Sequence, residues 1–354
     1  MTAAGASLTR PHLSAAARSQ LFDLLTGDEA ITVAGAGAAE LAQAGWTQSG
    51  RLRAGAATLL GCDVGGTKVH SVLTDLEGRC LAEVYEATDP KGGAALMAQL
   101  LRHREKLLAK AGAGPLMAAG IGIPGVVDPK TGHVSRMPNI TGLNETNLAA
   151  RLSGVLGVPV AVENDVNLAV QGEYWLGHRA GCMAFLALGT GIGLGQIVNG
   201  QLLRGANGAA GEAAVLPIGA NPFDAATFAT GALESTVGSA SLVAAYEALG
   251  GTPGQTVRDL FASDDPRFCG LLEGVAERLA LAVLSVAAIT DPDIVVFGGS
   301  VGQRPELVAR VSERLRQLPV SMPDCRVTRL GNKAGVLGAV WLARQKLAAS
   351  LRVG

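Results

Sequence analysis

The stretch Cys62-Asp63-Val64-Gly65-Gly66-Thr67-Lys68 follows the apolar run from Thr58 to Gly61. A second glycine-rich turn, Leu188-Gly189-Thr190-Gly191-Ile192-Gly193-Leu194-Gly195, follows the apolar run from Met183 to Leu188. Glycine lets the backbone come close to a phosphate group and point N–H groups at it. The two turns therefore predict loops that hold the phosphates of a nucleotide.

The residues around these turns repeat one order of elements. After the first turn, the pattern predicts strands at 68–75 and 80–87, a helix over 92–111 and a buried strand over 117–123. After the second turn, it predicts strands, a long helix over 269–289 and an apolar strand over 294–297. We therefore predict an α/β fold with two similar lobes of the actin/hexokinase ATPase type, which face a shared cleft.

Length and composition agree with such an enzyme. The 354 residues exceed one ordinary domain, and 48% hydrophobic residues with 48 glycines suit a large core with many tight turns. The 29 basic and 30 acidic residues give no bulk charge that would favour nucleic acid or a membrane. The five cysteines form no CxxC pair, and no stretch reaches the roughly 18 apolar residues of a membrane span. We predict a cytoplasmic protein with free thiols.

The first turn carries candidate ligands for a metal and for phosphates. Asp63 ends a strand, and a carboxylate at that place suits hydrated Mg²⁺ beside nucleotide phosphates. Gly65 and Gly66 allow close approach, Thr67 adds a hydroxyl and Lys68 a positive charge. By itself the turn could equally be a hairpin with incidental polar residues. The second turn runs into a strand and not a helix, which argues against a dinucleotide site.

The segment Glu163-Asn164-Asp165 lies between the end of a predicted strand, 159–162, and the start of a predicted helix, 166–174. Sugar hydroxyls hold their protons at neutral pH, so a carboxylate must accept the proton as a phosphoryl group is transferred. We predict Asp165 as this general base. The alternative is that Asp165 only caps the helix.

These segments together resemble the ROK family (repressors, open reading frames and sugar kinases) of the hexokinase/actin superfamily, from Leu59 onward. The matching segments, each weak alone, are Asp63–Lys68, Gly120–Gly125, Glu163–Asn167, Gly189–Gly195, Leu202–Glu212 and Gly298–Val301. The resemblance implies two ribonuclease H-like lobes, ATP and Mg²⁺ as cofactors, a sugar substrate and a homodimer.

The resemblance also implies roles for individual residues. It assigns Asp165 as the general base and Asp63 as the residue that holds Mg²⁺ through the phosphates. The implied nucleotide-binding residues are Asp63, Gly65, Gly66, Thr67, Lys68, Gly189, Thr190, Gly191, Gly193, Gly298 and Gly299, with the last two beside the adenosine. The implied sugar-binding residues are Asn139, Asn164, Asp165, Glu212 and Glu234. The alternative for Asn139, Asn164, Glu212 and Glu234 is a solvated or capping role.

The chain departs from the family in the segment that usually binds a structural zinc. Val215 stands where the family has histidine, and Ala232 stands where it has the last cysteine of its cluster. No histidine or cysteine lies between Glu212 and Glu234. We therefore predict no zinc site. The sugar contact that the family's histidine usually makes is also missing, so substrate affinity and activity stay open.

Residues 1–57 differ in composition from the rest. The segment from Ser14 to Trp46 resembles a shortened winged helix-turn-helix, but Thr32 to Ala39 carry no cation for a recognition helix. Four arginines and four acidic residues balance over residues 1–57, whereas DNA binding calls for a positive surplus. The sequence therefore does not favour a DNA partner, although it leaves one open.

We predict three parts: an N-terminal segment at 1–57, a first ATPase lobe at 58–175, and a second lobe at 176–354 whose last helix packs back on the first lobe. The predicted function is glucokinase-like, the ATP-dependent phosphorylation of a hexose or N-acetylhexosamine in carbohydrate metabolism. The alternative is a sugar-responsive transcriptional regulator or its non-catalytic descendant.

Overall fold

The computed structural model describes residues 13–27, 31–111, 114–135 and 147–352. The first described residues form two short helices and a small ribbon. They are α1 (Ala15–Thr26), α2 (Ala36–Gln43), β1 (Thr47–Gln48) and β2 (Arg51–Leu52). Ser14 precedes α1 as its N-cap, and its hydroxyl oxygen accepts a hydrogen bond from the Ala17 N–H at 3.2 Å.

The first lobe is a five-stranded sheet with helices on both faces. Its elements are β3 (Thr58–Val64), β4 (Lys68–Thr74), β5 (Cys80–Ala87), α3 (Gly93–Ala111), β6 (Leu116–Ile123), β7 (Val126–Val127), β8 (Val134–Ser135), α4 (Leu148–Leu156), β9 (Val160–Asn164) and α5 (Asp165–Leu176). The strand order is β5-β4-β3-β6-β9, with β7 and β8 in a separate ribbon. Strands β3, β4 and β5 run antiparallel, and β6 and β9 join parallel to β3.

The second lobe repeats this plan. Its elements are β10 (Met183–Leu188), β11 (Ile192–Val198), β12 (Gln201–Leu202), α6 (Glu234–Val237), α7 (Ser239–Ala248), α8 (Val257–Phe261), α9 (Pro266–Thr290), β13 (Ile294–Gly298), α10 (Gly299–Gly302), α11 (Pro305–Arg316), β14 (Asp324–Val327) and α12 (Ala334–Ser350). The strand order is β12-β11-β10-β13-β14, again with three antiparallel strands followed by two parallel ones.

Two helices lie between the sheets. Helix α5 packs on β10 and β11 of the second lobe, helix α12 packs on β3 and β6 of the first lobe, and the two helices pack on each other. Their crossing is close: a Cβ on Gly338 would lie 1.8 Å from the Leu168 carbonyl oxygen, and one on Gly172 2.3 Å from that of Ala334. Only glycine fits at either position.

The described part of the N-terminal segment packs against α12. Leu21, Leu25 and Leu41 are fully buried in one hydrophobic cluster with Val340 and Leu347 of α12. Arg344 of α12 donates a hydrogen bond from Nη2 to the Leu24 carbonyl oxygen at 2.9 Å. These helices therefore share a core with the ATPase body.

The predicted two-lobed α/β fold is confirmed, and most predicted elements differ from the observed ones by only one to three residues at their ends. Helix α9 begins three residues before the predicted start, because Asp265 caps it and accepts a hydrogen bond from the Arg267 N–H at 2.9 Å. Strand β14 was not predicted, since its exposed Asp324 and Arg326 hide the apolar pattern. Among the described helices, none has the length and apolar character needed to span a membrane.

Candidate active site

The first glycine turn joins β3 to β4 and is held from two sides. The Gly65 N–H donates to the Lys68 carbonyl oxygen at 2.8 Å, which closes the hairpin. The Thr88 hydroxyl donates to the Gly65 carbonyl oxygen at 2.6 Å. Gly66, Thr67 and Lys68 are exposed at its tip. The turn is thus a fixed loop with an accessible backbone and one lysine, as a phosphate-binding loop requires.

Asp63 lies at the end of β3, under the first turn of α12. A Cβ on Gly335 would lie 2.9 Å from Asp63 Oδ2, so α12 begins directly against this carboxylate. Burial raises the pKa of Asp63 to about 6, although the positive charge of the nearby Lys68 offsets part of the rise. Asp63 is therefore mainly ionised at neutral pH, and its oxygens beside the phosphate loop fit a hydrated Mg²⁺ ion.

Asp165 is the first residue of α5, and its neighbour Asn164 is the N-cap. Asn164 Oδ1 accepts hydrogen bonds from the Val166 and Asn167 N–H groups, both at 3.0 Å. Its Nδ2 donates to the Gly125 carbonyl oxygen at 2.9 Å. Asn164 is therefore the N-cap and fixes the junction between β9 and α5, while Asp165 Oδ1 shares one of these donors, the Val166 N–H, at 2.9 Å.

The surroundings of Asp165 suit a proton acceptor. The pKa of Asp165 is raised to about 7, mainly by burial. The negative charge of Asp63 and, more weakly, that of Glu212 contribute to the rise, and the hydrogen bond from the Val166 N–H offsets part of it. The three carboxylates, which come from three separate segments, therefore lie within electrostatic range of one another. A carboxylate that titrates near neutral pH can both accept and release a proton there.

Glu234, at the start of α6, contacts the second glycine turn. Its Oε2 accepts a hydrogen bond from the Ile192 N–H at 2.9 Å, and a Cβ on Gly191 would lie 2.3 Å from the same oxygen. Burial raises the pKa of Glu234, the Ile192 N–H lowers it, and Glu212 raises it. Glu212 is thus within electrostatic range of Glu234, which contacts this turn. Asn139 lies outside the described residues.

Packing explains several glycines that were predicted to touch the nucleotide. A Cβ on Gly193 would lie 2.7 Å from Val166 Cγ2 of α5, and one on Gly298 would lie 2.2 Å from the Phe185 ring. Gly299 has a φ of 79°, and its Cβ would lie 2.4 Å from the Leu188 carbonyl oxygen. These three positions need glycine whether or not a ligand binds. Gly189 and the exposed Thr190 stay at the turn itself.

A cleft of about 700 Å³ extends from the first turn to the second lobe. Lys68 and Tyr85 form its wall on the first lobe, with Lys68 Nζ 5.3 Å from the centre of the Tyr85 ring. The second lobe contributes Ser239, Ala240, Val243, Ala244, Glu247, Thr256, Val257, Arg258, Ser300, Gln303, Arg304 and Asn332. This volume suits a nucleotide-sized ligand. Of these residues, only Lys68 was predicted as a ligand, and only Lys68 and Ser300 lie in the matching segments given above.

A half-buried ion pair involves Glu163, two residues before Asp165. Glu163 is only 4% exposed, and its Oε2 accepts a hydrogen bond from Arg204 Nε at 2.6 Å. Its Oε1 accepts from Asn167 Nδ2 at 3.1 Å and from the Asn164 N–H at 3.0 Å. Arg204 stands at the start of the loop that leads to Glu212, so this pair joins the two carboxylate-bearing segments. No sequence signal singled out Arg204.

The segment without the family's zinc ligands is held by backbone contacts. The Leu233 N–H donates to the Ala214 carbonyl oxygen at 3.0 Å. Gly231 has a φ of 89°, and its Cβ would lie 2.3 Å from the same oxygen. Val215 is 57% exposed, whereas Ala232 is buried. Within the part of the chain that the structure describes, no three His, Cys, Asp or Glu side chains are grouped to hold a metal ion.

Comparisons with known proteins agree with this arrangement. A family model described as the ROK family matches residues 59–346. The glucokinase of Halalkalibacterium halodurans is 29% identical over 317 residues, which cover 81% of this chain and 95% of that protein. A ROK family glucokinase from Streptomyces griseus, solved in complex with glucose and AMPPNP, is 28% identical with a TM-score of 0.67, covering 81% of this chain and 99% of that one.

A further solved structure extends the likeness toward the N-terminus. It is a ROK family transcriptional regulator, described as a homologue of the E. coli MLC protein, with a TM-score of 0.79 and 20% identity. The alignment covers 95% of this chain and 97% of that one. At this identity the likeness concerns the fold alone, and it includes part of the N-terminal segment.

Proposed function

The chain belongs to the ROK family, and from this membership we propose that it transfers the terminal phosphoryl group of ATP to a hydroxyl group of a hexose or an N-acetylhexosamine. The observation that carries the proposal is Asp165. It begins α5 directly after the N-cap Asn164, and its pKa is raised to about 7 beside Asp63 and Glu212. The glucokinase relative and the neighbour bound to glucose and AMPPNP support the same reaction.

Each of these residues has a separate role in the reaction. Asp165 accepts the proton of the sugar hydroxyl. As it does so, the hydroxyl oxygen bonds to the terminal phosphorus of ATP, and the bond from that phosphorus to the leaving ADP oxygen breaks. Glu212 and Glu234 offer acceptors for the other hydroxyls, and Asn164 keeps one amide hydrogen for them beside its structural bonds. Asn139 is a further predicted contact. Lys68 and the backbone of both glycine turns hold the phosphates. Mg²⁺, held through Asp63, neutralises charge on them when bound.

Other features of the proposal rest on the sequence and on the resemblance. We propose that no zinc is bound, because Val215 and Ala232 replace family ligands. A homodimer, a cytoplasmic location and the division at residues 57 and 175 also stay predictions. The assignments of Gly65, Gly66, Thr67, Gly189, Thr190, Gly191, Gly193, Gly298 and Gly299 to the nucleotide stay predictions as well.

A sugar-responsive regulator is the second candidate, and the fold likeness that reaches into the N-terminal segment favours it. Against it, α1 and α2 bury their apolar faces on α12, and the charges of residues 1–57 balance. A gel-shift titration at several salt concentrations separates the two candidates. Steep salt-dependent binding to one promoter fragment would support the regulator.

The test of the kinase is a coupled assay of ADP release with Mg-ATP and a panel of hexoses and N-acetylhexosamines. We expect sugar-dependent ADP release from the wild-type protein. We expect Asp165→Asn to lower kcat at least about 1000-fold, since it loses the proton acceptor, while sugar binding by calorimetry changes little. Asp264→Asn, at an exposed position between α8 and α9, is the matched control and should keep full activity.

Two outcomes would overturn the proposal. If the wild-type protein binds a sugar but releases no ADP with any of them, the regulator becomes the better interpretation. If Asp165→Asn retains wild-type turnover, Asp165 is not the base, even though the protein is a kinase.

A further inference from the structure

The chain passes between the two lobes at two places. The first connection is α5, which starts at the end of β9 in the first sheet and packs on β10 and β11 of the second. The second connection is the segment 328–333, which leads from β14 of the second sheet into α12 on the first. Any change in the angle between the lobes must be taken up at these two connections.

One buried side chain joins both connections. Glu173, near the end of α5, is fully buried. Its Oε1 accepts hydrogen bonds from the Thr328 hydroxyl and, at 2.9 Å, from the Leu330 N–H. Its Oε2 accepts from the His178 N–H, in the turn after α5, at 3.1 Å. A carboxylate is costly to bury unless hydrogen bonds satisfy its oxygens. The bonds from His178, Thr328 and Leu330 therefore offset the cost of burying Glu173 and tie these segments together.

Further contacts run in parallel with this carboxylate. His178 Nε2 lies 3.0 Å from the Val327 carbonyl oxygen and carries the proton of that bond, since a carbonyl can only accept. Arg329 donates from Nη1 to the Gly177 carbonyl oxygen at 3.3 Å. A Cβ on Gly177 would lie 2.1 Å from Glu173 Oε2, so the turn wraps directly on the carboxylate. The end of α5 and the second connection therefore form one bonded unit.

The same helix carries Asp165 at its other end. Eight residues of α-helix separate Asp165 from Glu173, which corresponds to about 12 Å. Since Asn164 fixes the Asp165 end of α5 to the first lobe, a tilt of α5 at its Glu173 end moves the second glycine turn of the second lobe relative to the Asp165 carboxylate. A displacement of about 1 Å at a reacting group can cost up to about 100-fold in rate.

We propose that Glu173 is a positioning residue for phosphoryl transfer: it couples the two interlobe connections, and so sets the angle between the lobes and the placement of the second glycine turn relative to Asp165. Glu173 does not touch the reacting atoms. The catalytic part of this proposal rests on the proposed kinase function, whereas the coupling of the two connections does not.

The test is Glu173→Gln, which keeps the shape but replaces one acceptor oxygen with an NH₂ group. The NH₂ group cannot accept a hydrogen bond, and it must face either the His178 N–H or the Thr328 and Leu330 donors. The donors that it faces therefore lose their acceptor, and one of the two connections loses its bond. We expect amide hydrogen exchange to become at least about tenfold faster at residues 177–179 and 328–331 together. We expect kcat to fall and the KM for sugar to rise, with kcat/KM lowered about 10- to 100-fold.

Asp75→Asn is the matched control. Asp75 is also a buried carboxylate: its Oδ1 accepts from the Glu77 and Arg79 N–H groups, both at 2.9 Å, in the turn between β4 and β5. It lies in a hairpin turn whose Gly78 packs against Trp175 and Leu176 of α5, but the hydrogen bonds that the structure describes for its carboxylate stay within that turn. We expect a similar loss of thermal stability, with wild-type exchange at residues 177–179 and 328–331 and an unchanged KM for sugar.

A second pair of variants serves if Glu173→Gln fails to fold. Thr328→Val removes the hydroxyl donor at nearly constant shape, and Thr328→Ser keeps it. We expect the valine variant to show the coupled change in exchange and kinetics in weaker form, and the serine variant to resemble the wild-type protein.

Exchange that rises uniformly over the chain, or that stays unchanged at either connection, would overturn the proposal. A kcat/KM within twofold of wild type despite faster exchange would remove the positioning role. If the wild-type protein phosphorylates no sugar, the kinase function fails, and the exchange pattern of Glu173→Gln still decides whether the two connections are coupled.

Discussion

At the residue scale, the chemistry depends on how neighbouring side chains divide their tasks. Asn164 caps α5 with its amide oxygen, so the next residue, Asp165, shares one N–H donor, that of Val166, and does not cap the helix by itself. Burial and the negative charges of Asp63 and Glu212 then raise the pKa of Asp165. The same two residues in the reverse order would place the carboxylate in the capping position, where N–H donors lower its pKa.

A prediction about pH follows from this arrangement. Asp165 must be ionised to accept a proton, and its pKa is raised to about 7, so kcat/KM should fall as the pH decreases through 7. Protonation of Asp63, with a pKa raised to about 6, should steepen the fall at lower pH. The measurement is kcat/KM for the best sugar between pH 5 and 9, with activity restored on return to pH 8 as the control. A flat profile down to pH 5.5 would contradict it.

At the element scale, the crossing of α5 and α12 decides how the lobes meet. Both helices lie between the sheets, and glycines at the crossing bring their backbones into contact. Helix α12 is buried along most of its length, so the order of polar and apolar residues in its sequence indicates little about its orientation. Packing between elements, and not the sequence pattern of either helix, therefore fixes this interface.

We predict that Gly338→Ala destabilises the protein by about 3 kcal/mol or more, because its Cβ would lie 1.8 Å from the Leu168 carbonyl oxygen. Gly154→Ala in α4 is the matched control: a Cβ there would meet no atom within 4 Å, and alanine favours a helix by about 1 kcal/mol over glycine. Thermal or urea unfolding measures both. Equal stabilities of the two variants would show that the crossing tolerates a side chain.

At the scale of the whole molecule, the N-terminal helices form part of the body. The hydrophobic cluster of α1, α2 and α12 continues onto β3 through Leu59. Helix α12 in turn starts against Asp63. The N-terminal segment thus supports the helix that borders the candidate site.

We predict that Leu25→Ala, which leaves a cavity at a fully buried position between α1 and α12, destabilises the whole protein by about 2–4 kcal/mol in a single cooperative transition. Leu81→Ala, at a position 42% exposed on β5, should cost less than about 1 kcal/mol. Calorimetry measures both. A separate early transition for residues 13–57, with the main transition unchanged, would show an independent N-terminal unit.

The sequence by itself determined the two-lobed α/β fold, the family, and the positions of both glycine turns and of Asp165. These features follow from local patterns: apolar runs that end in glycine turns, and a carboxylate at the junction of a strand and a helix. Only the tertiary structure decided which glycines are required by packing, that Asn164 caps α5, that Arg204 pairs with Glu163, and that Glu173 joins both interlobe connections. The physical reason is that these contacts form between residues far apart along the chain, where no local periodicity or spacing records which side chains meet.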